Sequence, residues 1–276
     1  MSPLTPQEQS VARYYDGSIF EAELIRLPDD FPVELAMTSR YLERWIPAGS
    51  IVAEVGVGGG HYTRLLASRD CRLHLVDISQ RLLDAVATKL DAAGLAQQIF
   101  GTHCASATRL DPLESNTFDA VLFLGPLYHL GRLEERQQAV AEAARILKAG
   151  GLLFAAGINR LTYLRDLFRD SPDQAVPRRD FHARFLQDGL LDPTHAPPIG
   201  FAHLTSVKAF RGLFEPLFEQ SVLLAVESFV GGASQQKFKE LPPEDQSAWL
   251  DLIERTASFP EAFGIADHYM YIGRKK

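Results

Sequence analysis

Residues 52–67 read VAEVGVGGGHYTRLLA. An apolar, β-branched run (Val52, Ala53, Val55) carries one acid, Glu54, and gives way to glycines at 56, 58 and 60 before a helical pattern begins. Glycines between a strand and a helix allow backbone angles closed to other residues and let a ligand come close to the main chain. A dinucleotide-binding turn, G-x-G-x-x-G from Gly56, needs its third glycine at position 61, where His61 stands. A phosphate-binding loop needs a Lys followed by Ser or Thr after the glycines, and the sequence has neither there.

Outward from this turn the chain alternates. Strands are expected over SIVAEVGV (50–57), RLHLVDIS (72–79), QIFGTHCAS (98–106), FDAVLFLGP (118–126) and GLLFAAGIN (151–159). Between them, helices are expected over 61–69, over 80–94 with Gly94 as cap, and over 134–151. Short apolar strands alternating with helices predict an α/β, Rossmann-like, doubly wound sheet covered on both faces. Upstream, residues 8–27 read as one helix with an apolar stripe (Val11, Tyr14, Tyr15, Ile19, Leu24), and 33–46 as a second that stops at Pro47. After Asn159 the chain becomes rich in Arg, Asp and Pro. A helix at 205–217 capped by Thr205 or Ser206, a strand at 219–231, a helix at 242–258 and a last strand at 267–275 follow. The last strand is expected to be antiparallel and at the sheet edge, giving seven strands in all.

The organisation expected is a single domain over 1–276: an N-terminal helical segment (1–48), a ligand-binding core (49–159), an inserted cap (160–204) and the rest of the sheet (205–276). The 276 residues are 46% hydrophobic and 23% charged, the composition of a globular chain with a sizeable core. The net charge of −7 and pI of about 5.6 argue against a nucleic-acid surface, which needs clustered Lys and Arg. No apolar run is long enough for a membrane span. The opening MSPLTPQEQSVARYY lacks a basic segment followed by an apolar block, so no secretory leader is expected. Cys71 and Cys104 stand apart and read as buried free thiols, which suits the cytoplasm.

Glu54-x-Gly56-x-Gly58-x-Gly60 resembles the first motif of the class I S-adenosylmethionine-dependent methyltransferases. Three further segments agree in order and spacing: LHLVDIS with Asp77, then SNTFDAVLFLGPLYHL, then EAARILKAGG. The close resemblance covers residues 50–158. It implies S-adenosylmethionine as cofactor and methyl transfer as activity. Glu54, Gly56, Val57, Gly58 and Gly60 then form the loop at the methionine end, Glu54 both supporting it and facing the amine. Asp77, with Ile78 beside it, holds both ribose hydroxyls, since a carboxylate offers two acceptor oxygens to a vicinal diol. Leu124 and Gly125 end the fourth strand at the ligand edge. The family usually has an acid near the adenine after the third strand. Here Ser106 stands in its place, flanked by Ala107. Tyr14 and Tyr15 resemble aromatic residues that close over the cofactor.

For catalysis, Tyr128 and His129 follow the fourth strand directly, and His203 lies in a segment resembling a cap of bacterial relatives. Histidine suits a general base near neutrality, and His129 and His203 are the candidates. His182, His195 and His203 have spacings that fit no compact metal motif, so no metal is expected. Arg160, Arg178 and Arg179 are candidates for meeting a substrate anion. The expected partner is a small-molecule acceptor, with no nucleic acid and no membrane. The alternatives are a peptide or other macromolecule, or a non-catalytic cofactor-binding subunit. The methylated atom and the oligomeric state are not readable.

Overall fold

The structure, a computed structural model, describes residues 4–192, 194–195 and 201–276. Thr5 caps the first helix, α1 (Pro6–Asp16), through a reciprocal pair: its Oγ1 accepts the Glu8 N–H at 3.2 Å and Glu8 Oε2 accepts the Thr5 N–H at 2.7 Å. The single helix expected over 8–27 is interrupted at Gly17, where a Cβ would lie 2.7 Å from the Arg13 carbonyl oxygen. The chain continues as two short pieces, α2 (Phe20–Glu23) and α3 (Arg26–Asp30), before α4 (Pro32–Trp45). This elbow folds the N-terminal segment over one end of the sheet.

The core follows as β1 (Ile51–Val55), α5 (His61–Ala67), β2 (Arg72–Asp77), α6 (Gln80–Ala92), β3 (Ile99–Cys104), β4 (Phe118–Phe123), α7 (Leu133–Ile146) and β5 (Leu147–Ile158). The cap contains α8 (Arg160–Asp170), α9 (Arg179–Asp188) and the two-stranded β6 (Leu190–Leu191) and β7 (Ala202–His203). Then come α10 (Val207–Phe214), capped by Ser206, β8 (Phe218–Ala225), α11 (Gln236–Lys239), α12 (Pro243–Thr256) and β9 (His268–Lys275).

The large sheet has seven strands in the order β3-β2-β1-β4-β5-β9-β8. Strands β1 to β5 are parallel, and β9 is antiparallel to both β5 and β8. The last strand is therefore inside the sheet and β8 forms the edge, contrary to expectation. The reason is burial: His268 to Gly273 are buried on both faces, and Tyr269 to Ile272 form a continuous apolar and aromatic run rather than an alternating one. A second difference lies at Leu147–Gly151, expected as the end of a helix. Strand β5 already begins at Leu147, and its register against β4 slips between Phe118 and Ala120 to accommodate the extra residues.

Two apolar layers enclose the sheet. Val52, Leu73 and Leu75 pack with Met37, Leu42, Leu66 and Leu82 on one face. Ala53, Val55, Val121 and Phe123 pack with Val140, Ala143, Phe210 and Phe214 on the other. Each large side chain so buried contributes about 1.5–3 kcal/mol. The cap has a small cluster of its own (Phe181, Phe185, Leu191, Ala202, Leu204). Both cysteines are free; Cys71 is buried, but Cys104, at the end of β3, is only half-buried. No described helix is long and apolar enough to cross a membrane.

Candidate active site

Strand order reverses between β1 and β4, so the loops leaving these strands diverge and open a crevice at their carboxyl ends. The glycine turn leaves β1 and Leu124-Gly125-Pro126 leaves β4. Gly56 has φ +83°, and a Cβ on it would stand 3.0 Å from Pro126 Cδ; only glycine lets the two loops meet here. At Gly58, a Cβ would stand 2.8 Å from Glu23 Oε1, so the turn is roofed by the N-terminal segment. Gly56, Val57, Gly58 and Gly59 line an inner cavity, together with Asp77, Ile78, Ser106, Ala107, Leu124 and Gly125. Gly60 is not among the lining residues; it sits against Val86 of α6.

Asp77 ends β2 with both oxygens engaged: Oδ2 accepts the Val57 N–H at 2.8 Å and Oδ1 the Ser79 N–H at 2.9 Å. Each oxygen retains a second lone pair. Burial raises the carboxyl, and the backbone N–H groups of Ser79, Val57 and Gly58 only partly oppose this, leaving it at about 6. Glu54 lies outside the lining of this cavity, and its Oε2 accepts the Thr63 hydroxyl of α5 at 2.7 Å. Burial pushes it up to about 8, a buried acid tying strand to helix beneath the turn.

At the Ser106 end, the Ser106 hydroxyl pairs with Thr108 Oγ1 at 2.9 Å. Beside it lies an acid that the sequence reading missed. Glu8, from α1, is buried, lines the cavity, and is 3.4 Å from both Thr108 Oγ1 and Arg109. Its signal was the Thr5-x-x-Glu8 cap. At the opposite end, Glu34 Oε2, His61 Nε2 and Tyr62 Oη are buried without hydrogen-bond partners, and all three residues line the inner cavity. Buried polar atoms are normally paired. Of these three, Glu34 Oε2 lies 3.5 Å from His268 Nδ1, while His61 Nε2 and Tyr62 Oη, near the ion pair of Arg26 and Glu23 (2.9 Å), fit a ligand that brings its own polar partners.

Outside the inner cavity is a second chamber of about 490 Å³. Tyr15, Glu23, Arg26, Tyr128 and His129 line both spaces and form the wall between them. Tyr14 faces only the outer chamber. His129 Nδ1 is 2.9 Å from the Phe201 carbonyl oxygen, which only accepts, so Nδ1 carries the hydrogen and Nε2 accepts the Tyr15 hydroxyl at 2.7 Å. Gln7 also donates to the His129 carbonyl at 3.1 Å. Burial holds the His129 ring down at about 4, so it is neutral. The ring thus fastens α1 to the loop after β4. Tyr128 is half-buried, and its burial raises the hydroxyl well above the ordinary value.

His203 is on β7 and lines neither space; burial, with Arg136 and Arg160 nearby, lowers it to about 3. His195 stacks on Phe181 (4.1 Å between ring centres) and pairs with Asp192 at 2.9 Å, away from both cavities. Residues 193 and 196–200 of the same segment are outside the described residues. Arg160, Arg178 and Arg179 line neither space. From the cap, Thr162, Asp166 and Arg169 of α8 reach the outer chamber.

Residues 53–155 match the family model described as a methyltransferase domain. Residues 53–155 are thus a methyltransferase domain by their match, and the sheet order and glycine turn give it the fold of the S-adenosylmethionine-dependent methyltransferases. Among curated relatives, the chain is 29% identical over 106 residues to the tRNA (carboxymethyluridine(34)-5-O)-methyltransferase ALKBH8 of Mus musculus, covering 38% of this chain and 14% of that one. It is 28% identical over 113 residues to the ubiquinone biosynthesis O-methyltransferase of Aromatoleum aromaticum, covering 41% and 46%. The matched stretch thus spans less than half the length of these relatives. The N-methyltransferase NodS of Bradyrhizobium japonicum, solved with S-adenosyl-L-homocysteine, shares the fold over 95% of this chain and 98% of its own, with a TM-score of 0.56 at 14% identity.

Proposed function

We propose that the chain transfers a methyl group from S-adenosylmethionine to a small molecule held in the outer chamber. The observation that carries this reading is the shared wall: five residues, Tyr15, Glu23, Arg26, Tyr128 and His129, line both the glycine-turn cavity and a neighbouring chamber of small-molecule size.

Bound in the inner cavity, the cofactor supplies an electrophilic methyl on its sulfonium. The residues that would hold it are the Gly56–Gly59 backbone with Arg26, Glu34 and Tyr62 for the charged methionine end, Asp77 for the ribose hydroxyls, and Ser106, Ala107 and Glu8 around the adenine. The protein's task in a displacement of this kind is alignment and exclusion of water. Tyr128 and Tyr15 supply that by walling the passage, and His129 fixes Tyr15 by holding its hydroxyl. His129 is in this reading a positioning residue, because both ring nitrogens are occupied and the ring is neutral. The mixed polar and aromatic lining of the chamber and the net charge of −7 favour a small acceptor over RNA, although one relative is named for tRNA. The two unpaired thiols support a reducing compartment such as the cytoplasm.

The test is incubation of the purified chain with methyl-labelled S-adenosylmethionine and cell extract, the products then being separated by size. Label in the small-molecule fraction, absent with Asp77→Ala, is the expected result. Label confined to macromolecules would refute the small-acceptor reading.

A further inference from the structure

The outer chamber holds a second histidine, outside the wall that closes the cofactor cavity. His268 opens β9, is 7% exposed, and lines the chamber. Its Nδ1 donates to Glu227 Oε1 at 2.7 Å. Glu227, fully buried, also accepts at Oε2 the backbone N–H groups of Asp267 (3.0 Å) and His268 (2.9 Å). Phe31 sets its edge against the ring at 5.4 Å between centres. The imidazole is therefore held from one side by a carboxylate with no freedom of its own. Its remaining nitrogen, Nε2, bonds no described residue.

Glu34, Glu227 and His268 bring ligand atoms within 4.8 Å of one another, a grouping able to suggest a metal. The separation speaks against it. Two ligands on one tetrahedral cation stand roughly 3.3 Å apart, because each bond is about 2.0–2.1 Å. At 2.7 Å, Nδ1 and Oε1 share a proton instead.

The surroundings fix the charge of the ring. Burial works against an imidazolium, but the Glu34 carboxyl (3.5 Å from Nδ1) and Glu227 outweigh it, with a smaller contribution from Asp267, and push His268 up to about 9. Glu34 is itself raised by burial, which leaves Glu227 as the counter-charge in closest contact. The other acids facing the chamber are mostly engaged: Glu23 with Arg26 (2.9 Å), Asp166 with Arg169 (3.1 Å), and Asp267 with Arg165, the Gly232 N–H (2.8 Å) and Gln235 Nε2 (3.1 Å). Asp30 stands exposed at the rim. Because the Gln235 amide must give its NH₂ to Asp267, its Oε1 points elsewhere; that oxygen is buried and has no partner. His268 and Gln235 both line the chamber, the one with a ring nitrogen that bonds no described residue and the other with an unmet carbonyl oxygen.

We propose that His268 anchors the methyl acceptor through an anionic oxygen of that molecule, a carboxylate, phenolate or enolate, with Nε2–H as donor and Gln235 Oε1 available to a neighbouring hydroxyl or amide hydrogen. The proposal rests on the acceptor reading of the chamber. An ammonium group here would meet a donor with nothing to give it, whereas an oxyanion is accepted by a preoriented, charge-assisted bond. His268 then selects acceptors and positions them toward the Tyr15 and Tyr128 wall.

The experiment uses benzoate as probe and uncharged benzamide as its control, on the full chain with ¹⁵N-labelled histidine and S-adenosyl-L-homocysteine present. Benzoate is expected to shift the Nε2 resonance of His268 and to bind about tenfold or more tightly than benzamide. His268→Asn, which keeps a donor near the place of Nδ1 for Glu227 but lacks the outward nitrogen, should abolish that preference. In the wild type, benzoate affinity should fall as pH rises through about 9, where the imidazolium is lost. Equal binding of the two probes, a preference that survives in His268→Asn, or flat affinity across pH 8–10 overturns the proposal. The wild-type pH series decides the matter even where the variant does not fold. Binding of S-adenosyl-L-homocysteine, read separately by calorimetry, reports on the methyltransferase reading alone, so the two failures are distinguishable.

Discussion

Replacing Asp77 by Asn separates the ligand role of this carboxylate from its structural one. In the free protein an acid held at about 6 rather than near its ordinary 3.8 carries about 3 kcal/mol of unfavourable ionisation at neutral pH. The amide removes that cost. It also presents an NH₂ to one of the two backbone donors, Val57 or Ser79, that the carboxylate now accepts, and an unmet buried donor costs about 1–3 kcal/mol. The two effects are of similar size, so the melting temperature should move by only a few degrees. Affinity has no such compensation. Losing a charge-assisted acceptor for the ribose diol costs about 1.5–3 kcal/mol, roughly a tenfold to hundredfold rise in Kd for S-adenosyl-L-homocysteine by calorimetry.

The pH dependence sharpens the test. Below about 6 the carboxyl is protonated in the free protein, so wild-type affinity should decline as pH falls through 6, while the Asn variant stays flat there. The stability linkage runs the other way. Because the folded value lies above the unfolded one, this group's contribution is full below about pH 4 and is lost as pH rises through 6. Wild-type affinity in Asp77→Asn, or affinity lost only in proportion to a large drop in melting temperature, would show that Asp77 merely ties the turn to α6.

Other perturbations address other parts of the site. Gly56→Ala places a Cβ at φ +83° and 3.0 Å from Pro126, and should cost about 1–2 kcal/mol in urea denaturation while weakening the cofactor product in calorimetry. Tyr15→Phe removes the hydroxyl that His129 Nε2 accepts; hydrogen exchange over residues 6–16 should speed up by about tenfold or more, with little change in α7. Glu227→Gln removes the acid facing a buried imidazolium and should destabilise by about 3–5 kcal/mol at pH 7. Wild-type melting temperature should fall as pH rises through about 9, because the raised His268 stabilises fully below its unfolded value near 6.5 and loses that contribution above 9; Glu227→Gln should blunt this slope.

What the sequence made readable was local. Gly56 and Asp77 sit at the ends of successive strands, and their backbone demands and spacing are written within about twenty residues. The wall and its anchors depend instead on distant segments. Tyr15 meets His129 across 114 positions, and His268 meets Glu227 across 41, so no local pattern pairs them. Motif position points to His129 and His203; the first is taken up by Tyr15 and the Phe201 carbonyl oxygen, and the second lies on β7, outside both cavities. The informative signal for His268 was its strand: Tyr269 to Ile272 are a continuous apolar and aromatic run without alternation, so the strand is central, and a histidine opening a central strand must be buried with a counter-charge. Likewise Glu8 was identifiable as a helix cap but not as a cavity residue, because only the elbow at Gly17 carries α1 across the sheet end. The division has a physical origin. The inner cavity is lined largely by backbone turns that the strand ends impose, whereas the outer chamber is lined by side chains on α1, α8 and β9 that meet only after the sheet has closed.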